Sequence, residues 1–393
     1  MITKIPIYLD NNATTPLDPE VLREMLPYFT EKFGNASSSS HIYGLEAAGA
    51  VNFARKRISE LINSEIEEII FTSGATESIN LAIKGIAESS YGNKNRIITT
   101  PVEHKAVLDT CKYLEKHGFE IIKLKIDEFG VIDLEDLKDR IIDNTCLVSI
   151  IFASNEIGTI QPIEEIGKIC REKGVLFHTD ASQAVGKIPV DVNRMNIDLM
   201  SFTAHKLYGP KGIGALFIKN KNPKIAISEQ MHGGGQEKGF RSGTLNVPAI
   251  VGFGKAAELA RKLMNAESKR ISDLRNKMLE SFVTNIEGCS LNGHPKNRLP
   301  NNLNISFDFI DSQRILLSLK ELALSTGSAC SSETLEPSYV LKAIGKPDNL
   351  CKSSIRIGLG RFNTEEEIDY AIEKMVKKLS NIKMEISEIS KIQ

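Results

Sequence analysis

The amino-acid sequence predicts an α/β protein in which a large, mostly parallel sheet carries helices on both faces. Its 393 residues are enough for a large core and for more than one domain. Between about residues 68 and 177, short apolar runs alternate with segments whose apolar residues recur at helical spacing. That alternation is typical of parallel sheets covered by helices. After Gly254 the pattern changes to a long polar helix followed by mixed strands and helices, which predicts a smaller α+β domain.

The elements follow in chain order from these patterns. A turn-rich run covers residues 8–16, and Asp18-Pro19 provides a cap and a first-turn proline for a helix to about residue 33. Strands are predicted at 68–71, 96–99, 119–122, 147–152, 175–177 and 197–202. Further helices are predicted at 44–62, 77–87, 105–117, 163–173 and 255–285. We therefore expect a large domain at 15–255 and a small domain formed by 1–14 and 256–393.

Composition and charge exclude several classes of function. Lys and Arg number 49 against 50 Asp and Glu, so no basic face for nucleic acid is expected. No apolar run is long enough to span a membrane, and the first residues lack a signal-peptide core, which predicts a cytoplasmic protein. None of the six cysteines forms a C-x-x-C pair, so no zinc site is expected.

The residues from Ser201 to Gly214 are the first candidate for chemistry. A strand-like run ends in a hydroxyl and a histidine, and a single lysine, Lys206, precedes a glycine-rich loop. Lysine forms imines with carbonyl compounds and with pyridoxal phosphate (PLP). Alone, Lys206 would more simply be a surface lysine in a turn, so its interpretation depends on the other motifs.

Four more motifs follow predicted strands, where ligands bind in sheets of this kind. Ser73-Gly74-Ala75-Thr76 leads into a helix N-terminus, which suits a phosphate, although Ser73 or Thr76 as a plain helix cap is equally compatible. His104 could stack on an aromatic cofactor, and Asn155 could bind a ring substituent or a carboxylate; either could also be an ordinary turn residue. Asp180 is a carboxylate at a strand end, where a protonated pyridine nitrogen would be a suitable partner.

Three motifs remain toward the C-terminus. The polar loop from Gly233 to Thr244 has enough donors for a second phosphate contact, or is a linker. Cys330 lies among small residues outside any apolar stripe, so we expect an exposed thiol that can act as a nucleophile. Arg356 lies on a predicted strand and is a candidate for binding a carboxylate with two hydrogen bonds. His178 and Asp180 could be metal ligands, but no third residue of a metal-binding type lies near them in the sequence, so a metal site is not favoured.

Taken together, these motifs resemble those of the cysteine desulfurases of the NifS/IscS type. These are PLP-dependent enzymes of the class V aminotransferase fold, an aspartate aminotransferase-like fold. The resemblance extends from Tyr8-Leu9-Asp10-Asn11-Asn12 to Ser354-Ile355-Arg356. It implies the conversion of L-cysteine to L-alanine, with transfer of the sulfur to an active-site cysteine as a persulfide. It also implies a homodimer that delivers the sulfur to an acceptor protein.

The resemblance also implies a role for each matching residue. Lys206 would link to PLP, Asp180 would pair with the pyridine nitrogen, Gln183 would bind the ring hydroxyl, and His104 would stack on the ring and exchange protons with the substrate. The phosphate would be held by a set of backbone and side-chain groups, namely Ala75, Thr76, Thr203, His205 and, from the other subunit, Thr244. The substrate carboxylate would be bound by Asn155 and Arg356, and Cys330 would accept the sulfur.

Other functions stay open at this point. A selenocysteine lyase, or another enzyme of the same fold, would share the PLP residues, but Cys330 in its small-residue loop argues against one. An inactive scaffold for sulfur-handling proteins would not need the full set of Lys206, Asp180, His104 and Cys330. The tail after Ile382 does not resemble the C-terminal segment of IscS proteins. The acceptor could therefore serve iron–sulfur assembly, tRNA thiolation or DNA phosphorothioation.

Overall fold

The centre of the molecule is a seven-stranded sheet. A computed structural model describes residues 5–326 and 337–392. The strand order is β2-β8-β7-β6-β5-β3-β4, and β8 alone runs antiparallel to its two neighbours. The strands are β2 (Ile69–Thr72), β3 (Arg96–Thr99), β4 (Glu120–Lys123), β5 (Thr145–Ser149), β6 (Leu176–Asp180), β7 (Leu199–Thr203) and β8 (Gly214–Ile218). The predicted mostly parallel sheet is confirmed, and β8 is the strand that the sequence patterns did not indicate.

Helices cover both faces of this sheet. Alternation along the strands sends Ile70 and Ile97 into one core and their neighbours Phe71 and Ile98 into the other. The first core contains residues of α4 and α5, and the second contains residues of α1, α3, α6, α7 and α8. The bounds are α1 (Pro19–Met25), α2 (Pro27–Thr30), α3 (Ile42–Ile62), α4 (Ala75–Ser90), α5 (Lys105–Glu115), α6 (Leu134–Arg140), α7 (Ile163–Glu172) and α8 (Val247–Asn285).

Two helix predictions need correction. The single helix expected from Pro19 to about residue 33 is two short helices, because Pro27 has no backbone N–H to continue the first and begins the second. The helix expected from residue 255 begins at Val247, where the Asn246 side chain accepts a hydrogen bond from the backbone of Ala249. Several predicted strands are also displaced by one to three residues, as at β5 and β6.

A second, smaller core lies beside the large sheet. Its antiparallel sheet has the order β12-β10-β9, and a two-stranded parallel sheet joins β1 to β11. These elements are β1 (Ile7–Tyr8), β9 (Cys289–Leu291), β10 (Asn302–Phe307), β11 (Leu322–Ala323), β12 (Ser354–Gly358), α9 (Ser312–Ser318), α10 (Tyr339–Ala343), α11 (Asp348–Lys352) and α12 (Glu365–Ile392). The helix α8 contributes Phe253 to a core of the large sheet and Phe282 to the small one. The domain division at 255/256 falls within α8 and remains a proposal.

Six strands run in the same direction and end at one edge of the large sheet, and all but β4 carry or are followed by candidate residues. β3, β5, β6 and β7 are parallel, and β2 runs the same way because it and β7 both pair antiparallel with β8. The segments that follow these strands carry the candidate residues, which therefore converge at this edge. Among the described helices, none is long and apolar enough to cross a membrane.

Candidate active site

A cavity of about 570 Å³ opens at this edge of the sheet. Ten of the predicted site residues line it, namely Ala75, Thr76, His104, Asn155, Asp180, Gln183, Thr203, His205, Lys206 and Arg356. Thr244 does not line it, and Cys330 lies outside the described residues. The structure therefore brings together residues that are up to about 280 positions apart in the chain.

Lys206 ends a short 3-10 helix that follows β7. Its Nζ donates to the backbone oxygens of Asn12 and Ala13, at 2.6 and 2.5 Å. Asn12, Ala13 and Thr14 line the cavity as well, although the sequence patterns gave them no role there. The turn-rich composition of residues 8–16 was the available signal, because such a run folds back and exposes backbone carbonyls. The amine of Lys206 is thus held at the floor of the cavity by main-chain oxygens.

One end of the cavity is the N-terminus of α4. Gly74 is the cap residue and makes no side-chain hydrogen bond to the first turn of the helix. The backbone N–H of Ser73 is bound by Glu77, whose other oxygen accepts from Arg241 at 2.8 Å. Uncapped first-turn N–H groups and the positive end of the helix dipole favour an anion at Ala75 and Thr76.

His205 and Thr203 stand at the same end. The Nδ1 of His205 lies 3.0 Å from the hydroxyl of Thr14. Burial, together with nearby lysines led by Lys206 and Lys211, lowers the pKa of His205 to about 4, so the ring is neutral at pH 7. The hydroxyl of Thr203 donates to the carbonyl of Ile213 at 3.0 Å, so it must rotate before it can donate to a phosphate.

Asp180 is the carboxylate in the middle of the cavity. It is the last residue of β6 and is 5% exposed, and its Oδ1 accepts from both the backbone N–H and the hydroxyl of Ser182. Its Oδ2 accepts no hydrogen bond within the described part of the chain. Asp180 lines the cavity, so a protonated nitrogen bound there would stabilise the charge of this largely buried carboxylate.

His178 has a structural role beneath this site. Its two ring nitrogens lie 2.8 Å from the hydroxyl of Ser149 and 2.9 Å from that of Ser201. Burial lowers its pKa to about 3, so the ring is neutral. In residues 5–326 and 337–392, no group of three or more His, Cys, Asp or Glu side chains is arranged to hold a metal ion.

His104 caps α5 with its own ring. The Nδ1 atom accepts from the backbone N–H of Ala106 at 3.1 Å, so the proton of a neutral ring is on Nε2. The preceding Glu103 is fully buried, and its Oε1 accepts from Ile151 N and the Thr100 hydroxyl, both at 2.8 Å. These contacts hold the segment that presents His104 to the cavity.

Arg356 supplies a buried guanidinium at the other end of the cavity. It is 2% exposed, and it donates from Nη1 to the backbone oxygen of Asn155 at 3.2 Å and from Nη2 to Asp10 at 2.9 Å. Its Nε has no hydrogen-bond partner among the described residues. The arrangement places a cation and the Asn155 segment together, which suits a carboxylate ligand.

Thr244 is exposed on the loop that follows β8. This loop is fixed to the anion end of the cavity, because Arg241 binds Glu77 there. A second anchor is Glu237, which is buried against Arg55 with two hydrogen bonds of 2.6 and 2.9 Å. Thr244 therefore lies near the cavity of its own chain without entering it.

The donors and acceptors around the cavity fit PLP. An uncapped helix N-terminus and the cation Lys211 match its phosphate end, and the Oδ2 of Asp180 matches its pyridine nitrogen. Lys206 is a primary amine at the cavity floor, where a covalent link to the aldehyde carbon is expected. No metal is needed to explain this donor set.

Comparisons with known proteins agree with this site. The family model described as aminotransferase class-V matches residues 7–371. A relative from Rickettsia felis described as "Cysteine desulfurase IscS" is 53% identical over 96% of this chain and 92% of its own length. A solved structure of a NifS-like protein has a TM-score of 0.89 and 40% identity, covering 96% of this chain and 100% of that one. The structure "SspA in complex with cysteine" has a TM-score of 0.80 and 37% identity over 91% and 99%. The chain therefore belongs to the aminotransferase class-V family, and within it to the cysteine desulfurases of the NifS/IscS type.

Proposed function

We propose that this protein is a PLP-dependent cysteine desulfurase that converts L-cysteine to L-alanine and transfers the sulfur to Cys330. The observation that carries the proposal is the shared cavity, in which an amine (Lys206), an acceptor carboxylate (Asp180) and a carboxylate-binding arginine (Arg356) face one space. The relatives named cysteine desulfurase support the reaction, and the SspA structure with cysteine supports the substrate.

Substrate binding is assigned to Arg356 and Asn155. An amino acid carries a carboxylate, and a guanidinium binds that group with two parallel hydrogen bonds. The burial of Arg356 strengthens such a contact because little water competes for it. With the carboxylate held by Arg356, the amino group of the substrate would lie in the cavity that Lys206 also lines.

Proton transfer is assigned to Lys206 and His104. Bound PLP would supply an electron sink for the charge that develops on the α-carbon of the substrate. The Nζ of Lys206 would remove the α-proton, since two carbonyl oxygens hold this atom at the cavity floor. The Nε2 of His104 would carry a proton to and from the substrate, because its Nδ1 is engaged by the helix backbone.

Sulfur transfer is assigned to Cys330. Its thiolate would attack the substrate sulfur, the carbon–sulfur bond would break, and the carbon would gain a proton as alanine forms, leaving a persulfide on Cys330. The other five cysteines are poor candidates. Burial raises the pKa of all five, to about 12 for Cys111 and to about 11 for Cys146 and Cys289, with Cys170 and Cys351 raised as well.

A homodimer completes the proposal. Large apolar side chains are exposed along α1 to α3, including Phe29, Phe33, Ile42 and Phe53, each more than half exposed. Exposed apolar side chains concentrated on one group of helices favour an interface. Thr244 is exposed, and we assign it to the cavity of the partner subunit in this dimer. The sulfur acceptor is then a separate protein that receives the persulfide.

The test is a product assay with matched variants. Purified protein is incubated with L-cysteine and a reducing thiol, and alanine and sulfide are measured together. Wild type should release the two in equal amounts, and Cys330→Ser should release neither, while Cys289→Ser should match wild type. Release of pyruvate or ammonia instead of alanine, or full activity of Cys330→Ser, would refute the assignment.

A further inference from the structure

Lys187 is a buried lysine that the proposed chemistry does not use. It follows Gln183 by four residues in the segment after β6, and it is 9% exposed. Its Nζ donates to the Oε1 of Gln183 at 2.9 Å, and the hydroxyl of Ser268 donates to its backbone oxygen. No carboxylate lies within 4 Å of this amine in the described ranges 5–326 and 337–392.

Stability does not explain a lysine at this position. Burying an ammonium group without a carboxylate partner is unfavourable, and an apolar side chain of similar length would pack there at lower cost. Burial first, and then the cations Lys206 and Arg356, lower the pKa of Lys187 to about 7. Lys187 lowers stability and donates a hydrogen bond to Gln183, which lines the cavity, so it is a candidate for positioning Gln183.

The hydrogen bonds of Gln183 identify what Lys187 controls. The amide oxygen accepts from Lys187 and, at 3.3 Å, from Asn12, and the amide nitrogen donates to the backbone oxygen of Asn12 at 2.9 Å. The backbone oxygen of Asn12 can only accept, so it favours this orientation at the nitrogen of Gln183, whereas the side-chain amide of Asn12 can turn to match either arrangement. Lys187 acts at the oxygen of Gln183, because the protonated form of its amine has donors only and requires that oxygen to face it.

We propose that Lys187 is a positioning residue that fixes the amide of Gln183 with its NH₂ group toward the cavity. That group would donate to the phenolic oxygen on the ring of PLP. Gln183 lines the cavity. Its side-chain nitrogen and the Nζ of Lys206 both donate to the backbone oxygen of Asn12, so the NH₂ group of Gln183 lies on the side of Lys206. The inference rests on the proposed function, since it needs PLP in this cavity.

The test is a double-mutant cycle on PLP affinity. Cofactor-free protein is dialysed against PLP, and the dissociation constant is measured for wild type, Lys187→Met, Gln183→Ala and the double variant. Lys187→Met should weaken binding about tenfold, which is the size of one hydrogen bond. The double variant should bind no more weakly than Gln183→Ala, because without Gln183 there is nothing for Lys187 to orient.

A second readout is the pH at which the visible absorption of the bound cofactor changes. Loss of a positive charge near Lys206 and Arg356 favours the protonated form of the chromophore, so Lys187→Met should raise this midpoint. Lys187→Gln keeps N–H donors and should restore most of the affinity. Exposed Lys173→Met is the matched control and should behave as wild type in both measurements.

Three outcomes would overturn the proposal. In the first, Lys187→Met binds PLP as tightly as wild type and the pH midpoint of its absorption is unchanged. In the second, the losses of PLP affinity in Lys187→Met and Gln183→Ala add in full in the double variant. In the third, Lys187→Gln loses as much PLP affinity as Lys187→Met. Should Lys187→Met not fold, the result for Lys187→Gln decides the matter. Wild-type protein that binds no PLP would instead refute the proposed function, so the two failures are distinguishable.

Discussion

The guanidinium of Arg356 is bound to the carboxylate of Asp10, with Nη2 and Oδ1 2.9 Å apart. The same oxygen accepts from the hydroxyl of Ser325 at 3.0 Å. Arg356 is 2% exposed, so this ion pair and the hydrogen bond to the backbone oxygen of Asn155 fix its orientation while its remaining N–H groups can serve a ligand. A substrate carboxylate that binds Arg356 must therefore share it with Asp10, which makes this contact sensitive to small changes in geometry.

The first prediction concerns Arg356→Lys. Lysine keeps a positive charge but lacks the planar pair of donors, so it cannot form two parallel hydrogen bonds with a substrate carboxylate while it also binds Asp10. We expect kcat/KM for cysteine to fall roughly 10- to 100-fold, mainly through KM, which corresponds to one or two charge-assisted hydrogen bonds. Steady-state kinetics would measure this. An unchanged KM would show that the carboxylate binds elsewhere.

The second prediction concerns Lys206→Ala. Removing the amine takes away both the covalent link to PLP and the base that is held by Asn12 and Ala13. Turnover should be lost, and borohydride treatment should no longer fix PLP to the chain, as checked by mass spectrometry. Lys211→Ala also removes a cavity-lining lysine and should retain the link. A Lys206→Ala protein with wild-type alanine release would contradict the role.

The third prediction is a pH dependence of stability due to Glu103. Burial raises the pKa of this carboxyl from 4.5 to about 8, against the opposing effect of its hydrogen bonds. The native protein therefore holds a proton that the unfolded chain releases above pH 4.5, so stability is lost as pH rises from about 4.5 to 8. The loss should amount to roughly 4 kcal/mol over that range.

Denaturant unfolding at several pH values would measure this effect. Glu103→Gln cannot ionise, so the free energy of unfolding of this variant should fall less than that of wild type between pH 5 and 8. The exposed Glu31→Gln serves as control and should keep the wild-type slope. If the free energy of unfolding depended on pH equally in wild type and Glu103→Gln, the carboxyl of Glu103 would not be protonated in the native protein.

The fourth prediction concerns the ion pair of Arg55 and Glu237. Glu237 also accepts from the backbone N–H of Phe71 at 2.6 Å, so it joins the loop of Thr244 to α3 and β2. Arg55→Met leaves a buried carboxylate without its cation and should cost about 3–5 kcal/mol in unfolding free energy. Adding Glu237→Gln should recover part of this loss. Equal free energies of unfolding for wild type and Arg55→Met would refute the stabilising role of this ion pair.

Much of the fold was predictable because the apolar patterns are strong. Parallel strands buried on both faces are nearly continuous apolar runs, and their helices have clear amphipathic spacing. Pro27 was visible in the sequence, yet the helical pattern continued past it and hid the break between α1 and α2. β8 is also a short apolar run, but it follows directly on a glycine-rich stretch that is typical of a loop, and the strand was not separated from that loop.

The candidate site was predictable where a residue ends or follows a strand, as Asp180 and His104 do. Asn12, Asp10 and Lys187 were missed for a physical reason. Asn12 and Asp10 act through a turn from the start of the chain, and Lys187 acts through another side chain. Such contacts arise only from tertiary packing, and no local spacing records them.

The most direct measurement of the central claim is the location of the transferred sulfur. Wild-type protein is treated with L-cysteine, digested and analysed by mass spectrometry, before and after addition of a reducing thiol. The peptide containing Cys330 should carry one extra sulfur atom that the thiol removes, and the five other cysteines should carry none. An extra sulfur on Cys111, Cys289 or Cys351, with Cys330 unmodified, would contradict the account.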